Sequence, residues 1–260
     1  MTRLKTKRLA PGAIAIAAVF AAVVALAAAV AVSVAPTGKW RRVFFDDFTH
    51  GLRSSHWGVY SGQPGGDPGG WWSPAHAVVA HGVLNLETYR DPRYGWRWVS
   101  AGISSAPALT QTYGKYEVRV RVDRGKGVSF VALLWPSGNT WPPEIDFAEN
   151  GGGTTARDHI TATLHYGSDN AQIARTLPID LTRWHTVGVE WLPGKLIYTI
   201  DGRQWALVWS DAVPDQRMEM DLQTQAGTCG DSYAPCPDAQ TPAHVNAQIQ
   251  WVAAYAYQGR

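Results

Sequence analysis

Hydrophobic and polar positions alternate with a period of two along most of the chain. Tyr116, Val118, Val120 and Val122 interleave with Glu117, Arg119 and Arg121, the pattern of a strand with one buried and one wet face. Ile160, Ala162, Leu164 and Tyr166 alternate in the same way with Thr161, Thr163 and His165, as do Met218, Met220 and Leu222 with Glu219, Asp221 and Gln223. Further strands are predicted over His185 to Trp191 and through Ile249, Trp251, Ala253 and Tyr255. The nearly unbroken apolar run from Ser129 to Trp135 suits a central strand. Residues 196–200 and 203–209 flank Asp201-Gly202, the turn chemistry of a two-residue type I′ hairpin. Helical periodicity is confined to the amino-terminal segment. Short strands between Gly/Pro-rich turns predict an all-β fold, an antiparallel β-sandwich or jelly roll whose curved sheets offer a concave cleft.

Residues 1–36 stand apart from this pattern. Arg3, Lys5, Lys7 and Arg8 precede an Ala/Val-rich apolar run over residues 13–35. That run is longer than the 7–15 residues usual in a cleaved signal and long enough to span a bilayer. Ala29-Val30-Ala31 offers a small-residue cleavage site, so a signal peptide and an uncleaved signal anchor both fit. Either places residues 37–260, read as one domain, outside the cytoplasm, with membrane contact only through the leader. The four basic leader residues also carry the formal charge of +2; without them the remainder is −2. Such a body has no electrostatic footprint for nucleic acid, and a monomer is expected. The two cysteines, Cys229 and Cys236, lie seven positions apart in a Gly/Pro/Asp loop. A disulfide suits an oxidising compartment, with two free thiols as the alternative. Without a CxxC, zinc or redox chemistry has no motif.

The densest chemistry is at residues 141–150, Trp-Pro-Pro-Glu-Ile-Asp-Phe-Ala-Glu-Asn. Strand alternation points Glu144 and Asp146 the same way and Glu149 the opposite way. One inserted residue, a β-bulge, would return Glu149 to the side of the other two. Two acids at i, i+2 on a strand are ordinarily a solvated face; the third at a bulge offset, after a rigid Trp-Pro-Pro lead, is what suggests a site. Three carboxylates held together repel, so at least one should keep its proton near neutral pH and act as an acid.

Glu144-Ile145-Asp146-Phe147-Ala148-Glu149 resembles the E-x-D-x-x-E signature of family 16 glycoside hydrolases, in the bulged form of laminarinase-like members. Val83-Leu84-Asn85-Leu86, Tyr113-Gly114-Lys115-Tyr116-Glu117 and Trp184-His185-Thr186-Val187-Gly188-Val189-Glu190-Trp191 follow the family's order, and the resemblance runs from about residue 43 to 257. It implies a concanavalin A-like jelly roll and a retaining endo-β-glycanase acting on a polysaccharide, a β-1,3- or β-1,3/1,4-glucan first. A transglycosylase or galactan hydrolase with the same site, and a non-catalytic carbohydrate-binding sandwich, are the alternatives. By the same resemblance Glu144 is the nucleophile, Glu149 the acid/base, and Asp146 hydrogen-bonds Glu144 and tunes its charge.

Sugar rings stack on aromatic faces, and the chain holds 13 Trp. Trp141 and Trp135 are the expected cleft tryptophans; Trp71 and Trp72, at the end of the Gly/Pro-rich loop over residues 61–74, and Trp96 and Trp98 are expected at the rim. Trp184, Trp191 and Trp251 are expected in the core. His165, Gln223 and Gln225 are expected to face the cleft. Gly151-Gly152-Gly153 reads as a turn, since a phosphate loop would need a following helix. The chemistry requires no cofactor or metal. Many relatives hold a structural calcium through an acid in the final strand, where this chain reads Gln248-Ile249-Gln250-Trp251-Val252; that carboxylate is missing, although Asp46 and Asp47 could contribute. The mass of the protein isolated from its native host separates the two leader readings: loss of about 30 residues marks a signal peptide, and the full-length mass marks an anchor.

Overall fold

Alternation at this density leaves each strand with an apolar face that only a second sheet can cover. The computed structural model describes residues 39–65 and 69–258, so the leader readings lie outside the described residues. The strands, in chain order, begin with β1 (Trp40–Asp46), β2 (Gly58–Val59), β3 (Ala77–Ala80), β4 (Val83–Asp91) and β5 (Arg97–Val99). They continue with β6 (Gly102–Ser104), β7 (Gly114–Val122), β8 (Val128–Pro136), β9 (Glu144–Asn150), β10 (His159–Tyr166) and β11 (Ala171–Pro178). The last are β12 (His185–Leu192), β13 (Lys195–Ile200), β14 (Arg203–Trp209), β15 (Met218–Ala226) and β16 (His244–Tyr257). Among the described residues, the helical elements are two single 3₁₀ turns, and no helix is long and apolar enough to cross a membrane.

The strands form two antiparallel sheets. One runs β14-β13-β12-β7-β16-β4-β3, with β1 also on β16 and β5 on β4; the other runs β11-β10-β9-β8-β15-β6-β2. The predicted β-sandwich is thus observed. Val118 and Val120 of the first sheet meet Phe130, Leu134, Ile145 and Leu222 of the second in one buried core. The opposite face of the second sheet carries the polar partners, Glu219, Asp221 and Gln223 among them.

Local chemistry behaves as the turns and spacings require. Asp201 and Gly202 both have positive φ, 48° and 76°, as a type I′ hairpin demands. Cys229 and Cys236 are joined in a disulfide. In the Gly/Pro-rich loop, Gly62 and Trp72 bridge across its base. Of the three tryptophans expected in the core, Trp191 is fully buried, but Trp184 and Trp251 are only half-buried. The reason for Trp251 is a register shift between Ile249 and Trp251 opposite β7. The extra residue breaks the alternation, so Ile249 faces the core and Trp251 the outside, against Phe45. Trp184 lies before β12 and stacks beneath the Arg121 guanidinium. Trp57, buried to 1 %, takes a core place the alternation did not mark.

A second irregularity sits at the centre of the polar face. Ala132 pairs with Ala148, but the next residue of β8, Leu133, pairs with Asp146. Phe147 is therefore the extra residue of a bulge, and the pairing of β9 with β10 shifts at the same place. Phe147 and Ala148, consecutive in sequence, both sit in the core, so the residues on either side fall on one outer face. Phe147→Ala should cost roughly 3–5 kcal/mol, the range for deleting a fully buried aromatic side chain, as read by urea denaturation.

Candidate active site

The bulge in β9 collects Glu144, Asp146 and Glu149 on the polar face of the second sheet. Glu144 stands opposite His165 of β10, and Asp146 stands between Leu133 of β8 and Thr163 of β10. The Trp141 indole donates Nε1–H to Glu144 Oε2 at 2.8 Å. Asp146, 2 % exposed, places Oδ2 3.0 Å from His165 Nε2. His165 is held from its other side, Nδ1 lying 2.7 Å from Asn170 Oδ1. Thr163 Oγ1 donates to Glu149 Oε2 at 3.0 Å, and the Tyr233 hydroxyl also lies against that carboxyl.

Burial and mutual repulsion set the protonation of this group. Asp146 is raised well above the ordinary carboxylate range, first by desolvation and then by the charges of Glu149 and Glu144, with which it is near enough to share a proton. Glu149 is pushed up to about 7 by desolvation and the Glu144 charge, against the lowering influence of Thr163 and Tyr233. A carboxyl that holds its proton to neutral pH can serve as the acid while a neighbouring carboxyl serves as the nucleophile. The ligand atoms of Glu144, Asp146 and His165 lie within 4.8 Å of one another. They are the described residues that could hold a metal ion.

A cleft of about 640 Å³ opens above Glu144; His165 is not among its lining residues, whereas Trp135, Trp141, Trp72, Gln223 and Gln225 line it. Trp71 does not: adjacent residues of an extended segment face opposite ways, and Trp71 packs instead on Tyr94 and Arg97. Trp96 is 64 % exposed, and Trp98 lies under Arg90 beside a separate hollow at the disulfide. The cleft also contains Tyr60, Ser104, Glu219 and Asp221, which the sequence reading did not select. Glu219 and Asp221 share the polar side of β15 with Gln223, a parity visible in the alternation; Tyr60 and Tyr233 carry no such local signal.

The family model for glycosyl hydrolases family 16 matches residues 70–252. The chain belongs to that family. "Endo-1,3-1,4-beta-glycanase EglC" of Rhizobium meliloti is 23 % identical over 83 % of this chain and 51 % of its own length. "Beta-glucanase" of Rhodothermus marinus is 29 % identical over 48 % of each chain. This chain thus spans about half the length of the curated relatives it matches. The X-ray structure of endo-beta-1,3-glucanase from Pyrococcus furiosus superposes with a TM-score of 0.74 at 22 % identity, covering 86 % of this chain and 97 % of that one. That likeness extends to the fold.

The structural calcium implied by the resemblance would need an acid in the final strand, and β16 carries none. Gln248, in place of an acid, takes a hydrogen bond from Arg121 and donates to Asn85. Asp46 already receives Phe48 N–H and Trp57 Nε1–H and faces His56, and Asp47 is taken by Thr49. The acids nearest that place thus already serve protein partners, and β16 adds no carboxylate to the oxygen set a hard cation takes.

Glu149 makes the site measurable in stability. The unfolded chain gives up this proton near 4.5, whereas the folded chain keeps it to about 7. Stability is therefore lost as pH rises between those values and is constant above them. The stability advantage of Glu149→Gln over the native protein should grow across that window to on the order of 3 kcal/mol and then level off. A pH-independent difference in thermal or chemical unfolding would contradict the raised carboxyl.

Proposed function

We propose that this chain is an exported β-glucan endohydrolase that cleaves β-1,3- or mixed β-1,3/1,4-linkages with retention of anomeric configuration. Family membership and the glucanase names of its relatives support the substrate class. The basic, apolar leader supports export, whether it is cleaved or kept as an anchor. The observation that carries the mechanism is that one bulge puts a carboxyl raised to about 7 beside two others at the edge of an aromatic cleft.

In this reading the glucan lies across the second sheet with sugar faces on Trp135 and Trp141. Glu144, oriented by Trp141, attacks the anomeric carbon as the glycosidic bond breaks, and Glu149 gives its proton to the departing oxygen. Asp146 and Glu144 share a proton while Glu144 carries charge and lose the need for it when the glycosyl ester forms. Glu149, now ionised, takes a proton from water, which attacks the ester and releases the sugar with its original configuration. His165 steadies the buried Asp146, and no step calls for a metal.

Glu144→Gln should abolish release of reducing ends from β-1,3- and mixed-linkage glucans while leaving oligosaccharide binding largely intact; undiminished hydrolysis would discard the assignment. Since the acid form of Glu149 is the working form, kcat/KM should fall tenfold per pH unit above about 7. In Glu149→Gln that alkaline limb should disappear along with most of the activity. A limb unchanged in position in that variant would assign the acid elsewhere.

A further inference from the structure

The cleft holds a second pair of acids that the proposed chemistry does not use. Glu219 and Asp221 of β15 occupy the same i, i+2 positions as Glu144 and Asp146 of β9, with β8 between the two strands. Asp221 pairs with Leu133, which pairs in turn with Asp146, so the four residues form a square on the sheet. Two strand spacings separate its sides by roughly 10 Å. A chain crossing the sheet past Glu144 therefore meets Asp221 with a neighbouring sugar, not with the ring being cleaved.

Asp221 is a built feature. It is 4 % exposed, its Oδ2 accepts the Tyr60 hydroxyl, the Ser104 hydroxyl lies against the same carboxyl, and its buried Oδ1 makes no hydrogen bond within 3.5 Å. Tyr60 is itself seated by the absence of a side chain at Gly102, where a Cβ would collide with the Tyr60 ring. That ring also packs on Trp72, 4.7 Å between centroids, whose indole is tied to the Thr224 carbonyl at 3.0 Å. An unpaired carboxylate oxygen at this depth costs stability, and a buried acceptor beside an aromatic wall is matched by a sugar hydroxyl. Every ionisable residue lining this cleft among the described residues is acidic or a tyrosine, with no Lys or Arg.

We propose that Asp221, held by Tyr60, anchors a sugar-binding subsite beside the catalytic one, accepting a hydroxyl of an uncharged pyranose and turning away anionic glycans. This rests on the polysaccharide-cleaving reading of the same cleft and narrows its substrate class. The hydroxyl donates to Asp221 Oδ1. A carboxylate or sulfate ester on the sugar would meet Asp221, Glu219 and Glu144 with no cation to offset them, a like-charge juxtaposition that selects against that partner.

The test is calorimetric binding of a β-1,3-linked glucohexaose to Glu144→Gln and to Glu144→Gln/Asp221→Asn, with kinetics of the native chain and Asp221→Asn on a neutral β-glucan and on its carboxymethylated form. Asp221→Asn should weaken binding about tenfold and raise KM by a similar factor, with kcat falling less than threefold. The native preference for the neutral over the carboxymethylated glucan, expected to exceed tenfold, should shrink in the variant. Tyr60→Phe, which keeps the ring, should reproduce the KM effect in part. Unchanged affinity, kcat lost at unchanged KM, or equal turnover of the two glucans by the native chain would each overturn the proposal. If the native chain cleaves no β-glucan but another uncharged glycan, the substrate reading of the preceding section fails and the Asp221 comparison is made on that glycan.

Discussion

One additional residue in β9 is the constraint on which the candidate site depends. Without it, strand parity would bury Glu149 in the core when Glu144 and Asp146 faced the cleft, and an unpaired core carboxylate is not sustainable. With Phe147 and Ala148 both turned inward, the core keeps its apolar contacts and the third acid emerges on the working face. The bulge is held by core packing on one side and by unshifted neighbours, β8 and β10, on the other. Site geometry is thus fixed by the hydrophobic interior rather than by loops.

The same packing sets the electrostatics. The sheet behind the acids is dry, so Asp146 and Glu149 are desolvated from below and crowded by each other and Glu144 from the side. Both influences favour the protonated form. Specific donors oppose them: Thr163 and Tyr233 at Glu149, and a backbone N–H at Asp146. Asp221 repeats the arrangement two strands away, pushed up to about 7 by burial and relieved by Tyr60 and Ser104. A face built to bind neutral, hydroxyl-rich chains can carry this many acids because most of them do not have to ionise at once.

Much of this was legible in the chain. Alternation located β7, β10, β12 and β15, an apolar run located β8 and the Asp201-Gly202 turn the β13–β14 hairpin, and the offset of Glu149 from Asp146 announced the bulge before any pairing was known. What escaped was non-local or broke parity. Trp251 was misplaced because the register shift before it leaves no mark in the residues around Gln250. Trp71 and Trp72 differ only in which way an extended segment turns, and the bridge to Gly62 that decides it spans ten residues. Tyr60 reaches Asp221 across 161 positions, and Tyr233 reaches Glu149 from the disulfide loop; no spacing rule pairs such residues.

The central claim is that Glu144 forms the glycosyl bond and Glu149 moves the protons, from a shared face created by the bulge. The anomeric configuration of glycosyl azides formed from an activated β-glucoside oligomer, read by NMR for the two alanine variants, tests it most directly. In Glu149→Ala, azide replaces water in attacking the covalent intermediate and should give the β-azide. In Glu144→Ala, azide replaces the nucleophile itself and should give the α-azide. The reverse assignment, or the same anomer from both variants, would contradict the account.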